Sequence, residues 1–267
     1  MRAILEGQRP PTKFAETHMH SNGSDGRMRP AQIVDIAVAH GQLATLAITD
    51  HEIIRPSVEA RNYSERAGYD LEVVVGAEFS TKDGHLIGLY LNDDVVTGKP
   101  VEWTIAQIHK QNGLVIAPHP MYKWTRSLSL DKILSVLSNP DPDIRFDGFE
   151  LFSAGVGDNP FTKANENALA FYLEVQGEMP EVAWKLGAAI ASTDGHFYTV
   201  GRGITGYEEE LREDIEQRRT SAWSLDLQEQ ARILDIAANM WGSMVLEPTR
   251  RIQRYAIRRY QQGMQTT

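Results

Sequence analysis

Short apolar runs alternate with amphipathic segments along most of the chain. Residues 43–48 and 114–117 are apolar runs of strand length, a pattern typical of strands buried on both faces of a parallel sheet. Residues 30–40 carry apolar positions at helical spacing, beginning with Pro30 and ending before Gly41. Strands and helices alternate about seven times in this way, which predicts parallel βα units and an α/β, barrel-like sheet.

The same pattern gives bounds for each element. The predicted strands lie at residues 14–17, 43–48, 71–75, 85–91, 114–117, 146–152 and 188–191. The predicted helices lie at residues 30–40, 57–67, 101–111, 130–137 and 165–186, the last split by Gly177 and Pro180. Beyond His196 the pattern predicts a short loop or edge strand at 201–205 and helices at 208–219, 226–241 and 248–262. We therefore expect a barrel domain over residues 1–205 and a helical extension over 206–267 packed on it.

Polar side chains that can bind metal fall at the ends of these strands. His51, Glu78, His119 and Asp194 each lie at or just after the carboxyl end of a predicted strand. In βα barrels that end carries the chemistry, whereas the opposite end carries stability. The sequence therefore predicts that these four residues converge on one site. By contrast, His40 and His109 lie within helical patterns, and we expect both to be ordinary surface residues.

The segment around His18 and His20 supplies a further pair of candidate ligands. Side chains two residues apart on a strand point the same way, so both rings can contact one ion. Asp25 follows at the end of a turn rich in Gly, Ser and Asn, which can fold its carboxylate back toward the rings. A His-x-His pair alone is weak evidence for metal, and it gains weight from the other strand-end residues.

Composition narrows the possible chemistry. The 267 residues contain no cysteine, so disulfides and thiolate metal sites are excluded and His, Asp and Glu remain as ligands. The net charge of −9 disfavours stable binding to duplex nucleic acid. No apolar run is long enough to span a bilayer, and the first residues lack a secretory pattern, so we expect a cytoplasmic protein with no membrane partner. The strongly basic segment 250–260 is predicted to be a solvated helix docked on the body, with a subunit contact or an anionic partner as alternatives.

The ordered set of short motifs resembles the polymerase and histidinol phosphatase (PHP) family of metal-dependent phosphoesterases over residues 14–205. The motifs that carry the resemblance are HMHSNGSDG at 18–26, TDH at 49–51, GAE at 76–78, HLIG at 85–88, PHP at 118–120, DGFE at 147–150 and STDGH at 192–196. The resemblance implies a distorted (β/α)7 barrel with two or three divalent ions at the carboxyl ends of the strands.

The resemblance also implies a role for each matching position. It assigns a first metal to His18, His20 and Asp194, a bridging role to Glu78, a second metal to His85 and His119, and a third metal to Asp25, His51 and His196. The family often has histidine where this chain has Asp25. Asp50 is expected to orient a ring nitrogen of a metal-binding histidine without touching the metal. Glu150 has two alternatives, a direct role at the site or none.

This ligand set suits the hydrolysis of a phosphate ester. Two divalent ions about 3.5–4 Å apart lower the pKa of a bridging water from about 15.7 to about 7 and bind the phosphoryl oxygens, so a bridging hydroxide becomes the nucleophile. Zn, Mn and Fe all suit these ligands. We expect Glu78, Asp194 and His196 to take part in catalysis, and Lys123, Arg126 and Arg202 to bind the substrate phosphate.

The leading hypothesis is a hydrolase of phosphomonoesters or small phosphodiesters, with nucleotides or short oligonucleotides as substrates. The alternatives are a sugar- or histidinol-phosphate phosphatase, a metal-dependent amidohydrolase, and a non-catalytic metal module. The sequence leaves the oligomeric state open.

Overall fold

A computed structural model of the chain describes residues 1–123, 125–157 and 163–225. The strands are β1 (Arg2–Ala3), β2 (Lys13–Glu16), β3 (Leu43–Ile48), β4 (Glu72–Ser80), β5 (His85–Leu89), β6 (Leu114–Ala117), β7 (Gly148–Ser153), β8 (Ala188–Ser192), β9 (Gly203–Tyr207) and β10 (Ser221–Ser224). The helices are α1 (Pro30–His40), α2 (Arg55–Ala67), α3 (Val101–Lys110), α4 (Leu130–Leu137), α5 (Ala154–Gly157), α6 (Ala164–Glu178), α7 (Pro180–Ala183) and α8 (Leu211–Glu216), with a 3-10 turn at Trp184–Leu186.

The strands form one mixed sheet in the order β1-β10-β9-β2-β3-β4-β5-β6-β7-β8. Strands β2, β3 and β4 pair in parallel, as do β6, β7 and β8. Between these two groups β5 runs antiparallel to both neighbours. The prediction of parallel units throughout was therefore wrong at β5, which joins β4 through a tight turn without a helix. The hydroxyl of Thr81 accepts hydrogen bonds from the backbone of Asp83 and Gly84 at 3.0 Å and stabilises this turn.

The sheet curls so that β8, at one end of the strand order, contacts β9. Thr205 of β9 donates its hydroxyl to the carbonyl of Ala191 at 2.9 Å and accepts from the same residue's N–H at 3.1 Å. Inside the curl, Ala15, Ala47, Ile116 and Ile190 share one buried apolar cluster. These residues come from β2, β3, β6 and β8, so the cluster brings opposite sides of the sheet together. The curled sheet is consistent with the barrel-like architecture that the sequence predicts.

Helices end or begin at glycine and proline residues of the sequence. Gly41 and Gly68 end α1 and α2 with positive φ angles of 72° and 69°, which glycine adopts without steric cost. Gly177 does not split α6; the break comes at Pro180, which begins α7. Leu211 and Ile215 of α8 join the cluster inside the curl. None of the described helices combines the length and the apolar composition needed to span a bilayer.

The part of the chain after residue 200 differs most from the prediction. Strand β9 is not an edge strand, because it lies between β2 and β10. The predicted domain boundary at residue 205 falls inside β9, and β10 extends the same sheet. Helix α8 is shorter than the predicted helix 208–219 because β10 begins at Ser221. The predicted helices at 226–241 and 248–262, with the basic segment 250–260, lie outside the described residues.

Candidate metal centre

The first two candidate ligands lie just beyond the carboxyl end of β2. Met19, between them, is fully buried, and its carbonyl accepts a hydrogen bond from Thr49 N–H at 2.7 Å. The next N–H, that of His20, donates to the carbonyl of Gly195 at 3.0 Å. This extended segment turns the rings of His18 and His20 the same way, and their Nε2 atoms lie 3.1 Å apart.

Glu78 lies at the centre of the cluster, near the end of β4, and its two carboxylate oxygens face different histidines. Oε1 is 2.9 Å from His85 Nδ1 and 3.1 Å from His119 Nε2. Oε2 is 3.2 Å from His20 Nε2 and 3.3 Å from His18 Nε2. The side chain is almost fully buried. One carboxylate therefore faces two sets of imidazole nitrogens, the arrangement that a bridging ligand requires.

The antiparallel direction of β5 explains how His85 reaches the site. This residue begins β5, so it lies at the same end of the sheet as the carboxyl ends of the parallel strands. His119 follows β6 and adopts a positive φ of 29°, and Asp194 after β8 has a φ of 51°. Residues other than glycine rarely adopt such angles, which cost about 1–3 kcal/mol each and concentrate at functional sites.

A more exposed group completes the cluster. His196 Nε2 is 3.2 Å and His51 Nε2 is 3.6 Å from Oδ2 of Asp25. The ring of His196 stacks on that of His20 with centroids 4.2 Å apart. Gly26 is essential to this turn, because a Cβ there would lie 2.2 Å from the carbonyl oxygen of His20. All nine residues proposed as ligands from the sequence thus converge on one end of the sheet.

The electrostatics of the cluster favour bound cations. Burial alone would lower the pKa of His20, but hydrogen bonds that its ring donates to the carboxylates of Asp194 and Glu78 outweigh this effect and raise the pKa to about 9. Burial would raise the pKa of Glu78, but the charge of His18 and a hydrogen bond from His119 hold it well below its ordinary value. The carboxylates therefore remain ionised, and positive charge nearby stabilises them.

The donor set fits divalent ions. The Nε2 atoms of His18 and His20 lie 3.1 Å apart, and both are near Glu78 Oε2, so these donors are close enough to share an ion. Four groups have donor atoms within 4.8 Å of one another: His18, His20 and Asp194; His18, Glu78 and His119; His51, Glu78 and His85; and His20, Asp25, His51 and His196. Imidazole and carboxylate donors of this kind suit Zn, Mn and Fe.

Two buried glutamates make hydrogen bonds to the candidate ligands or to the loops that carry them. Glu150 lies 3.0 Å from His18 Nδ1 through Oε1, and its Oε2 accepts from the N–H of His119 at 2.6 Å. Glu16 accepts from the N–H groups of Thr193 at 3.1 Å and Gly201 at 3.0 Å. Burial raises the pKa of Glu16 to about 7, although these hydrogen bonds lower it. The sequence analysis gave Glu16 no role, although an acidic residue within an apolar strand, two positions before His18, was a usable signal.

Relatives in sequence cover parts of the chain. No family model matches the chain. The uncharacterized protein MJ1587 of Methanocaldococcus jannaschii is 36% identical over 151 residues, which are 52% of this chain and 81% of that protein. The 5'-3' exoribonuclease Rnm of Escherichia coli is 33% identical over 101 residues, 36% of this chain. The chain spans only 33% of the length of that enzyme.

Solved structures show the same fold. A two-domain protein from Bacteroides vulgatus, containing a predicted PHP-like metal-dependent phosphoesterase, has a TM-score of 0.57 at 18% identity, over 82% of this chain and 66% of that one. The fold of the chain is thus that of PHP-like metal-dependent phosphoesterases. The activities named for its sequence relatives and structural neighbours are those of hydrolases. A candidate metal-dependent phosphoesterase from Bifidobacterium adolescentis matches with a TM-score of 0.56 at 16% identity, over 82% of this chain and 99% of that one. An amidohydrolase from Chromobacterium violaceum has a TM-score of 0.52 at 17% identity, over 80% and 99% of the two chains.

Some predicted roles around the metal centre need correction. Among the described residues, Asp50 contacts no ring of a candidate metal ligand; its carboxylate accepts hydrogen bonds from the hydroxyls of Ser21 and Ser24, both at 2.5 Å. It therefore shapes the turn that carries Asp25. His40 is buried rather than exposed. His109 is partly buried. Its Nδ1 lies 2.7 Å from the carbonyl oxygen of Asp143, and its Nε2 lies 2.8 Å from a carboxylate oxygen of Asp147.

The predicted phosphate-binding cations lie in two loops near the metal centre. Lys123 and Arg126 are exposed in the loop after β6, which also carries His119. The carbonyl of Arg126 accepts a hydrogen bond from the N–H of His85 at 2.6 Å. Arg202 is partly buried, and its N–H donates to the hydroxyl of Thr193 at 2.8 Å. A phosphate-binding role for these three side chains stays a prediction.

Proposed function

We propose that this protein hydrolyses phosphate esters and that its substrates are nucleotides or short oligonucleotides. The observation that carries the proposal is the position of Glu78, whose two buried oxygens face separate pairs of imidazole nitrogens at 2.9–3.3 Å. A carboxylate in this position can bridge two ions. When bound, divalent ions supply positive charge to the phosphoryl oxygens and lower the pKa of water toward neutrality.

The chain's own residues would hold and orient these ions. His18, His20 and Asp194 would bind one, and His85 and His119 a second, with Glu78 between them. Asp25, His51 and His196 would bind a third. The groups of neighbouring donor atoms support the first and third sets, whereas His119 groups with His18 and Glu78, and His85 groups with His51 and Glu78.

Proton transfer to the leaving group needs a side chain that solvent and substrate can reach. His196 has a side chain that is 31% exposed, whereas Asp194 is 10% exposed and lies behind it. We assign delivery of the proton to His196 Nε2 in the form with two ions, in which that nitrogen binds no metal. Nδ1 of the same ring lies 3.2 Å from the carbonyl oxygen of Asp194, which orients the ring. Lys123, Arg126 and Arg202 would bind the non-reacting phosphoryl oxygens.

The similarity to the exoribonuclease Rnm supports a nucleotide-containing substrate. The net charge of −9 argues against a substrate gripped along a duplex backbone, because such binding depends on many basic contacts. A short single strand needs few such contacts beyond the metal centre. Nucleoside monophosphates and oligonucleotides of a few residues are therefore the substrates to test first.

The test uses the full chain, stripped of metal with a chelator and reloaded separately with Mn, Zn, Fe or Mg. Substrates are p-nitrophenyl phosphate, bis-p-nitrophenyl phosphate, nucleoside 5'-monophosphates, a sugar phosphate, histidinol phosphate and a short 5'-phosphorylated oligoribonucleotide. An N-acyl amino acid tests the amidohydrolase alternative. We expect phosphate or nucleotide release that requires added metal and is fastest for the nucleotide substrates. No release from any phosphate ester with any metal would refute the proposal, and amide cleavage alone would replace it.

A further inference from the structure

The metal centre opens to solvent on one side. The side chains of His18 and Glu78 are almost fully buried, whereas those of His196 and Asp25 are 31% and 54% exposed. Substrate therefore reaches the centre from the side of His196 and Asp25. Phe197 directly follows His196 and is 61% exposed. An apolar side chain exposed to water thus directly follows a residue on the open side of the centre.

The backbone around Phe197 is held in place. Glu16 binds the N–H groups at both ends of the loop, in Thr193 and Gly201. The carbonyl of His196 accepts a hydrogen bond from the N–H of Arg27 at 2.9 Å. A phenylalanine side chain kept in water forgoes most of the free energy that its burial would contribute. An ordered loop that presents such a ring at an active-site entrance favours a ligand with a flat apolar face.

A cation accompanies this ring. Arg27 is exposed, and among the described residues it takes part in no ion pair. Some other basic side chains are paired: Lys132 lies 3.2 Å from Asp83, and Arg212 lies 3.0 Å from Glu216. The guanidinium of Arg27 is therefore available to an anionic ligand that approaches the metal centre from the side of Phe197.

We propose that Phe197 and Arg27 form a binding surface for single-stranded oligonucleotides, on which one base stacks against Phe197 and a phosphate pairs with Arg27. The proposal rests on the proposed function, because it places the reacting phosphate at the metal centre. Every base has a face that can stack on an aromatic ring, so this contact tolerates different sequences. In a duplex those faces are covered by neighbouring bases, and the surface therefore selects single strands.

A binding experiment tests the surface without requiring turnover. The metal-loaded protein is titrated into a tetraribonucleotide with phosphorothioate linkages and 2-aminopurine next to its 5' end. We expect stacking to quench the fluorescence. Phe197→Ala should abolish the quench and raise Kd about 5- to 30-fold, and Phe197→Trp should restore both. Leu173→Ala removes another apolar side chain, 53% exposed on α6, and should behave as wild type.

Salt dependence tests the second half of the surface. For a single strand each phosphate contact contributes about 0.7 to the slope of log K against log salt. Arg27→Ala should reduce the slope by about that amount, whereas Arg66→Ala, on α2, should not. An equal quench and Kd in wild type and Phe197→Ala would overturn the proposal, as would equal weakening in Leu173→Ala. If the protein binds the oligonucleotide as expected but hydrolyses no phosphate ester, the proposed function is wrong and the binding surface is still supported.

Discussion

Oε1 of Glu150 lies 3.0 Å from Nδ1 of His18, and both side chains are buried. A carboxylate at one ring nitrogen keeps the proton there, so the other nitrogen presents a lone pair. In His18 that other nitrogen is Nε2, which faces Glu78 and His20. The same carboxylate accepts from the hydroxyl of Ser192 at 2.6 Å, which fixes its own orientation.

Glu150→Gln should weaken metal binding without removing a ligand. The amide keeps the shape of the side chain but loses the charge that holds the His18 proton on Nδ1. Supporting carboxylates of this kind change metal affinity by about 10- to 100-fold. Competition with a chelator of known affinity measures the change, and Glu166→Gln, on the exposed surface of α6, is the control. Affinity within twofold of wild type in Glu150→Gln would limit Glu150 to a structural role.

Glu78→Ala should abolish turnover and lower the amount of bound metal. The alanine removes both oxygens that face the histidines, so the two ions would lose their common ligand. Metal content per chain after dialysis and kcat with p-nitrophenyl phosphate are the two measurements. Glu59→Ala, on an exposed position of α2, provides the control. Normal activity in Glu78→Ala would mean that another group bridges the metals.

The predicted phosphate-binding cations should affect substrate affinity more than turnover. Arg202→Ala, Lys123→Ala and Arg126→Ala each remove a positive charge from a loop of the site. If the charge holds phosphoryl oxygens equally in the ground and transition states, KM rises while kcat changes little. Steady-state kinetics with a nucleoside monophosphate test this, with Arg66→Ala for comparison. If the KM of a variant equals that of wild type, the substituted residue does not bind the substrate phosphate.

Much of the fold was predictable because its elements carry strong local signals. The bounds of β3, β6 and α4 match the predicted segments at both ends, since an apolar run or a periodic pattern ends at clear breakers. Strand direction was not predictable locally. Whether β5 runs parallel or antiparallel depends on the short turn before it, and the two-residue strand β1 carries too few residues to show a pattern.

The candidate site was predictable for a related reason. Parallel strands deliver their carboxyl ends to one edge, so residues such as His51 and His119, far apart in sequence, had to converge. Supporting contacts were not predictable, because they depend on the register between distant strands. Glu150 reaches His18 across 132 residues of chain, and Asp50 turns to Ser21 instead of a ring. Burial of His40 likewise depends on tertiary packing rather than on its helical pattern.

Asp214 should make the protein less stable at acid pH. This buried carboxylate accepts from the N–H of Glu208 at 2.7 Å and from Arg219 Nε at 2.8 Å. Burial would raise its pKa, but these hydrogen bonds lower it below the ordinary value. Because the folded-state pKa is depressed, the stabilisation is complete above the unfolded-state pKa of about 4 and is lost as pH falls through the folded value.

Asp214→Asn tests this dependence. We expect a loss of about 1–3 kcal/mol in the free energy of unfolding at pH 7, since buried donors lose a charged acceptor. The gap between wild type and variant should narrow as pH falls below about 4. Urea unfolding at several pH values measures the gap, and Asp131→Asn, at an exposed position of α4, controls for general charge effects. A gap that is independent of pH would contradict the assignment.

Metal uptake should release protons. Burial alone would lower the pKa of His18 and of His119, but neighbouring carboxylates raise both. The main carboxylate is Asp194 for His18 and Glu78 for His119. The pKa of His20 is raised to about 9. In the metal-free protein at pH 7 these rings therefore hold protons that a binding ion must displace. The apparent affinity for metal should accordingly rise with pH up to about 9. Calorimetric titration in two buffers of different ionisation enthalpy counts the protons released, and His109→Asn, which removes a ring remote from the cluster, should leave that count unchanged. Uptake of Mn or Zn at pH 7 with no proton release would show that these histidines are already neutral and that the carboxylates do not control them.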